Sequence, residues 1–283
     1  MRSLIRLSLG LMTIFLPVPG PLSAQDASYS TIAHDLESDR VGDRFVIEVH
    51  LPPAYRSTSR DYPVLFVLDG DKSSGMARDI VDWLSWSREI PELVVVAISY
   101  GGSQQEWWQK RSRDFTPSND STKIWGEWPL AGGAQAFRDL MRYELIPFLE
   151  RTYRVSSDRT LAGVSFGGLF AVETMFAEPD LFRRYIIAGP ALAWDAERIW
   201  KVENQYRSEH DQLEAVVFTG VGARDQRVIR DPWERFNSLM ESRDYRGLKW
   251  VSVCFQDETH ISSWPAILTQ GLKVVFAEEG DTP

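Results

Sequence analysis

Seven short apolar runs, rich in β-branched residues, recur along the chain and are separated by longer stretches with helical spacing. They are RFVIEVHL (44–51), PVLFVL (63–68), LVVVAIS (93–99), RTLAGV (159–164), YIIAG (185–189), AVVFTG (215–220) and KWVSVCF (249–255). The first alternates polar and apolar residues, as an edge or half-exposed strand does. The later ones are continuously apolar, which requires cover on both faces of a sheet. Between them, AQAFRDLMRYELIPFLERTY (134–153) and PWERFNSLMES (232–242) read as helices, with Phe137, Leu140, Met141, Leu145 and Phe148 on one face of the first. This alternation specifies a doubly wound α/β fold, a mostly parallel central sheet with helices on both faces.

The N-terminus lies outside that rhythm. Arg2 and Arg6 precede the apolar stretch LSLGLMTIFLPV, and small residues lead up to Ala24. A positive start, a short apolar segment and a small-residue cleavage site predict a secretory signal peptide over residues 1–24 and a single mature domain over 25–283. Pro17, Pro19 and the shortness of the run argue against a membrane span. Cleavage would take the formal charge from −9 to −11 by removing two arginines. An acidic, exported chain, secreted or periplasmic, is not built to bind nucleic acid or an anionic membrane surface. Its one cysteine, Cys254, lies within an apolar run, reads as a core residue and cannot form an internal disulfide. No zinc-ligand spacing and no phosphate-binding glycine loop occurs, so neither metal nor organic cofactor is expected.

Gly163-Val164-Ser165-Phe166-Gly167 follows one apolar run and precedes Leu169, Val172, Met175 and Phe176 at helical spacing. A G-x-S-x-G sequence at a strand-to-helix turn presents the serine at the top of the sheet, and larger side chains at the glycine positions would collide with its neighbours. The helix N-terminus beneath favours developing negative charge. A serine hydroxyl needs a base to act as a nucleophile. Of four histidines, His34 and His50 precede the core and His210 lies in the polar run YRSEHDQLE, whereas His260 follows the last predicted strand. His260 is the expected base. The orienting acid should lie between serine and histidine in the chain. Asp225, five residues past a strand, is the first candidate; Asp231, Asp257, Glu258 and an acid-free Ser–His dyad remain alternatives, Asp231 reading also as the N-cap before Pro232. Two backbone amides should bind the oxyanion, that of Phe166 and that of Asp71 in VLFVLDGDKSSG, with the Asp71 carboxylate turned away.

From Gly101 to Gly133 the chain holds four of its eleven tryptophans without a clean period. Such an excursion is either a binding wall or lid, or a loop stitched to the core by its aromatics. Trp107 and Trp108 stand beside Lys110, Arg111 and Arg113, a combination suited to an anionic aromatic molecule. Arg113 and Asp114 could instead pair internally.

With these residues placed, the chain resembles the "Putative esterase" family of α/β-hydrolases, which spans siderophore esterases, S-formylglutathione hydrolase and mycolyltransferases. The resemblance rests on VLFVLDGD, RSRDFTP (111–117), GGAQAFRDLMRYELIPFLERTYRV (132–155), LAGVSFGGLFAV and ETHISSWPAILTQGLKVVF, and it comes nearest to periplasmic siderophore esterases. It implies Ser165 as nucleophile, His260 as base and the amides of Asp71 and Phe166 as oxyanion donors, while several members of this branch lack a clear acid. Many relatives carry Ser-Pro-Ser-x-Trp-Trp where this chain has GPALAWD (189–195), keeping Pro190 and Trp194 beside the pocket. The expectation is an exported serine carboxylesterase acting on a small-molecule ester, of siderophore type or another aromatic or sugar ester. An acyltransferase, a carbohydrate deacetylase or a non-catalytic binding protein on the same scaffold are the alternatives.

Overall fold

The computed structural model describes residues 28–277, so the predicted signal peptide lies outside the described residues. Among the described residues, eight strands form one sheet in the order β1-β2-β4-β3-β5-β6-β7-β8. They are β1 (Ser30–Ser38), β2 (Asp43–Leu51), β3 (Tyr62–Val67), β4 (Val94–Ser99), β5 (Val155–Val164), β6 (Arg184–Ala188), β7 (Gln212–Gly222) and β8 (Arg246–Phe255). β2 runs antiparallel to both β1 and β4; β4, β3, β5, β6, β7 and β8 are all mutually parallel. All seven expected strands are present. The eighth, β1, is an edge strand of sequence STIAHDLES whose side chains are mostly exposed, so it carries no apolar signal to read.

The helices are α1 (Gly70–Trp86), α2 (Gln104–Phe115), α3 (Ala134–Leu140), α4 (Ile146–Thr152), α5 (Phe166–Ala177), the short turn α6 (Trp194–Glu197), α7 (Ile199–Glu209), α8 (Arg227–Arg243) and α9 (Ser263–Val275). Side chains alternate along the strands between two cores. Leu65, Val67 and Val95 pack against Ala77 and Val81 of α1 and Ile267 and Leu272 of α9. Val64, Phe66, Val94 and Val96 face the other way, in a core shared with Phe115, Phe137, Phe170 and Phe236. This is the two-faced cover that continuously apolar parallel strands require.

Two helices depart from the sequence reading. The expected helix over 134–153 is α3 and α4 joined by a π-helical turn, Met141–Leu145, just ahead of Pro147, whose missing N–H already interrupts the regular ladder. α8 starts at Arg227 and contains Pro232, so Asp231 lies inside the helix and is not its N-cap. Cys254 is half-buried and packs against the core.

Parallel strands deliver their C-terminal ends to one edge of the sheet. The connection from β3 leaves towards β4 and that from β5 leaves the other way, towards β6, and the two open a crevice at that point of reversal, where open α/β sheets bind ligands. Ser165 follows β5, Gly189 follows β6, Asp225 follows β7, His260 follows β8, and Asp69–Asp71 follow β3.

Candidate active site

Ser165 joins β5 to α5 with φ 61° and ψ −115°, a backbone conformation that side chains other than glycine seldom adopt. The strain is held from both sides. Ser165 N donates to Ala188 O at 2.9 Å, and its carbonyl accepts from Leu169 N and Ala191 N. A Cβ on Gly163 would lie 2.6 Å from the carbonyl carbon of Gly167, so Gly163 admits no side chain, whereas a Cβ on Gly167 would meet only Leu68 and Asp69 at ordinary contact distances of 3.4–3.6 Å, against the expectation that both positions exclude bulk.

The histidine and the acid come from the next strands along. His260 Nδ1 lies 2.7 Å from Asp225 Oδ2, and the Asp225 side chain is fully buried. Asp225 Oδ1 also accepts from Gln226 N, and Asp225 N is tied back to Gly222 O. A carboxylate only accepts, so the imidazole proton is held on Nδ1 and Nε2 is left as the basic nitrogen. The other acids are employed elsewhere. Asp257 pairs with Arg224 on the surface, Asp231 lies within α8, and Glu258 enters the turn through its backbone carbonyl.

The amides of Asp71 and Phe166 lie in the first turns of α1 and α5, where helix geometry leaves N–H groups without intrahelical acceptors. The Asp71 carboxylate turns away from that corner, accepting from Tyr100 N and Gly101 N at 2.8 Å each.

Three expected substrate contacts are corrected. Arg111 is 2% exposed and forks onto Asp69, Nε to Oδ1 at 2.8 Å and Nη2 to Oδ2 at 2.9 Å, while Nη2 also reaches Val164 O at 3.4 Å. It is an internal clamp between the β3 and β5 corners, not a surface cation. Asp69 itself sits in the left-handed region at φ 54°. Arg113 is bound by Asp114 and Asp43, and Lys110 also pairs with Asp43, so the basic patch is neutralised from within. Burial works to raise the Asp43 pKa, but the hydrogen bonds from Lys110 and Arg113 prevail and hold its carboxyl below the usual range. Trp194 is 1% exposed and donates from Nε1 to Ser118 O.

The tryptophans form a wall. Trp107 and Trp108 lay their rings on the Arg111 guanidinium, at 4.9 and 5.1 Å, and Trp108 remains 39% exposed. Trp125, Trp128 and Trp194 all meet the Phe166 ring edge-on, at 6.2, 5.7 and 5.1 Å. Phe166 directly follows the serine, so this aromatic cluster borders the candidate site.

Sequence reasoning missed three residues. Asp69 was signalled by an Asp-Gly pair closing a strand, a turn signature. Gly189 was visible only as a glycine after β6; a Cβ there would lie 3.0 Å from His260 Nδ1. Asp195, which binds Ser118 and Ser121, was marked only as the end of GPALAWD, the segment that departs from relatives.

A model of the family described as "Putative esterase" matches residues 38–251. Ferri-bacillibactin esterase BesA of Bacillus subtilis (strain 168) is 27% identical over 237 residues, 77% of this chain and 80% of the relative. The siderophore triacetylfusarinine C esterase of Aspergillus fumigatus is 28% identical over 191 residues, 64% of this chain and 60% of the relative. An IroE-like serine hydrolase from Shewanella oneidensis shares the fold with a TM-score of 0.79 at 23% identity, over 87% of this chain and 80% of that one. Fold, family match and relatives agree: the chain belongs to the "Putative esterase" family and is a carboxylic ester hydrolase with an α/β-hydrolase fold.

Proposed function

We propose that this ester hydrolase works through a serine acyl-enzyme and acts, after export, on siderophore-type or other aromatic esters. Ser165 Oγ attacks the ester carbonyl carbon while its proton passes to His260 Nε2. The tetrahedral oxyanion is held by the amides of Phe166 and Asp71, with the Arg111 cation fixed between their two corners. Collapse expels the alcohol, which takes the proton from His260. Water then attacks the acyl-serine by the same route in reverse, releasing the acid and restoring the serine. Asp225 keeps the imidazole in the tautomer that presents Nε2 and stabilises the imidazolium.

The observation that carries this reading is the hydrogen-bonded pair of His260 and the buried Asp225 at the strand ends, together with the strained Ser165 turn. The substrate class is supported by relatives that are siderophore esterases and by the aromatic wall next to Phe166. Export rests on the N-terminal sequence pattern alone. Turnover of p-nitrophenyl esters and of a trilactone siderophore by wild type and Ser165→Ala tests the chemistry. Equal rates in the two proteins would overturn the serine mechanism. Amino-terminal sequencing of protein from the periplasmic fraction tests export, with cleavage expected after Ala24.

A further inference from the structure

The segment where this chain departs from its relatives, GPALAWD, runs into an unusual turn. Asp195, Ala196 and Glu197 are consecutive left-handed residues, with φ of 48°, 55° and 60° and no glycine among them. L-residues avoid runs of this conformation, so surrounding contacts must hold it. Those contacts fall into two groups. Glu197 is tied outwards to Arg235. Asp195 is tied to the Trp-rich loop. Its Oδ2 accepts from Ser118 Oγ at 2.8 Å, and its Oδ1 accepts from Ser121 Oγ at 2.8 Å and Ser121 N at 3.1 Å. The exchange is mutual, because Asp195 N donates to Asp120 Oδ1 at 3.2 Å and Trp194 Nε1 donates to Ser118 O at 3.0 Å.

Beyond these bonds the loop is held by Trp125, Trp128 and Ala131, which pack on the core, while the side chains between them stand in water. Ile124 and Leu130 are 54% and 48% exposed, and the Lys123–Glu127 pair is solvated. Yet it carries Trp125 and Trp128, whose edges meet Phe166, and Trp128 stands 5.9 Å from the exposed Trp108 with the planes tilted by 35°.

We propose that Asp195 is a specificity-determining positioning residue, whose carboxylate fixes the 118–128 segment so that Trp125 and Trp128 form an aromatic wall for the ester's aromatic group. The inference rests on the reading that ester hydrolysis occurs at Ser165. Burial works to raise the Asp195 pKa, but the hydrogen bonds from Ser121 and Ser118 prevail and keep it ionised, as a permanent strap requires. Without the carboxylate the left-handed turn loses its reason to persist and the wall loses its position, while the Asp225–His260 pair is untouched.

The test compares an aromatic ester, ethyl ferulate, with ethyl acetate, which has no aromatic group for the wall to meet. Asp195→Ala is expected to raise KM for ethyl ferulate about tenfold, in line with the loss of one or two aromatic contacts, with kcat for both esters within about twofold of wild type. Asp195→Asn, which keeps one acceptor oxygen, should fall between, and tryptophan fluorescence should shift in parallel with KM. An equal fall in kcat for both esters would overturn the inference, as would an unchanged KM ratio in a folded Asp195→Ala protein. Ser165→Ala serves as the separate control. Residual wild-type-like turnover there would remove the serine mechanism, whatever the Asp195 variants do.

Discussion

Asp225 and His260 stand 35 residues apart in the chain, yet their side chains meet at 2.7 Å, the carboxylate fully buried and the imidazole still partly open to solvent. The asymmetry suits a base. A buried carboxylate with Gln226 N on its other oxygen has one remaining task, to accept the Nδ1 proton. The turn around it is closed by Ala223 N to Phe255 O and Arg224 N to Glu258 O, so the loops after β7 and β8 are bonded together before the side chains meet.

Replacing Asp225 with Asn is therefore expected to lower kcat by about 10³–10⁴ with little change in KM, because an amide no longer forces the productive tautomer. Steady-state kinetics on p-nitrophenyl acetate measure this. Undiminished kcat would mean that Ser165 and His260 work as a dyad.

Gly189 supplies a second handle on the same pair. Its φ is +43°, and an added Cβ would lie 3.0 Å from His260 Nδ1, 3.1 Å from Cε1 and 3.4 Å from Asp225 Oδ2. Only glycine gives the imidazole that space without strain. Gly189→Ala should destabilise the fold by about 1–2 kcal/mol and cut kcat at least tenfold by displacing the ring. A thermal melt with parallel kinetics separates the two effects; full activity would show that the ring can shift at no cost.

The elements that were legible in the sequence are those whose physics is local. Strands such as LVVVAIS announce themselves by composition, and the serine turn by Gly163, where no side chain fits. The edge strand STIAHDLES did not, because its backbone pairs with β2 while most of its side chains stay in water. α2 was hidden for the opposite reason. Its buried positions include Arg111, Ser112 and Asp114, so burial along it does not follow hydrophobicity. The capping box of Ser103 and Glu106 was its one local mark. The same masking explains why Arg111 and Arg113 read as surface cations. Arg111 finds its partner Asp69 42 residues away, and Arg113, besides its neighbour Asp114, meets Asp43 70 residues away. Asp225 could be ranked first by its place after β7, but only the bonded loops single it out from Asp231 and Glu258.

The Asp69–Arg111 clamp should respond as a buried pair does. Arg111→Met alone leaves a carboxylate without a partner at 2% exposure and should cost about 3–5 kcal/mol, and Arg111→Lys should not restore the fork. Combining Asp69→Asn with Arg111→Met should be less damaging than Arg111→Met by itself. Urea denaturation of these variants and of Asp69→Asn alone checks the order. A double variant as unstable as the sum of its parts would show that the two side chains act independently.

His50 is 2% exposed and bridges Thr31 Oγ1 and Ser74 Oγ at 2.8 Å on each ring nitrogen. Burial pushes its pKa down from 6.5 to about 4, against the opposing pull of Glu48, with Arg78 adding to the fall and Asp79 resisting it. The unfolded chain therefore binds a proton that the folded chain refuses between pH 6.5 and 4. Stability rises with pH across that window, and the contribution is lost as the solution is acidified through it. The full effect is about 2 kcal/mol after allowance for partial solvent screening. His50→Gln keeps a side chain able to reach both hydroxyls but cannot be protonated. Urea midpoints at pH 7 and pH 4.5 should fall further for wild type than for His50→Gln, and an equal fall in both would place the acid sensitivity on other groups.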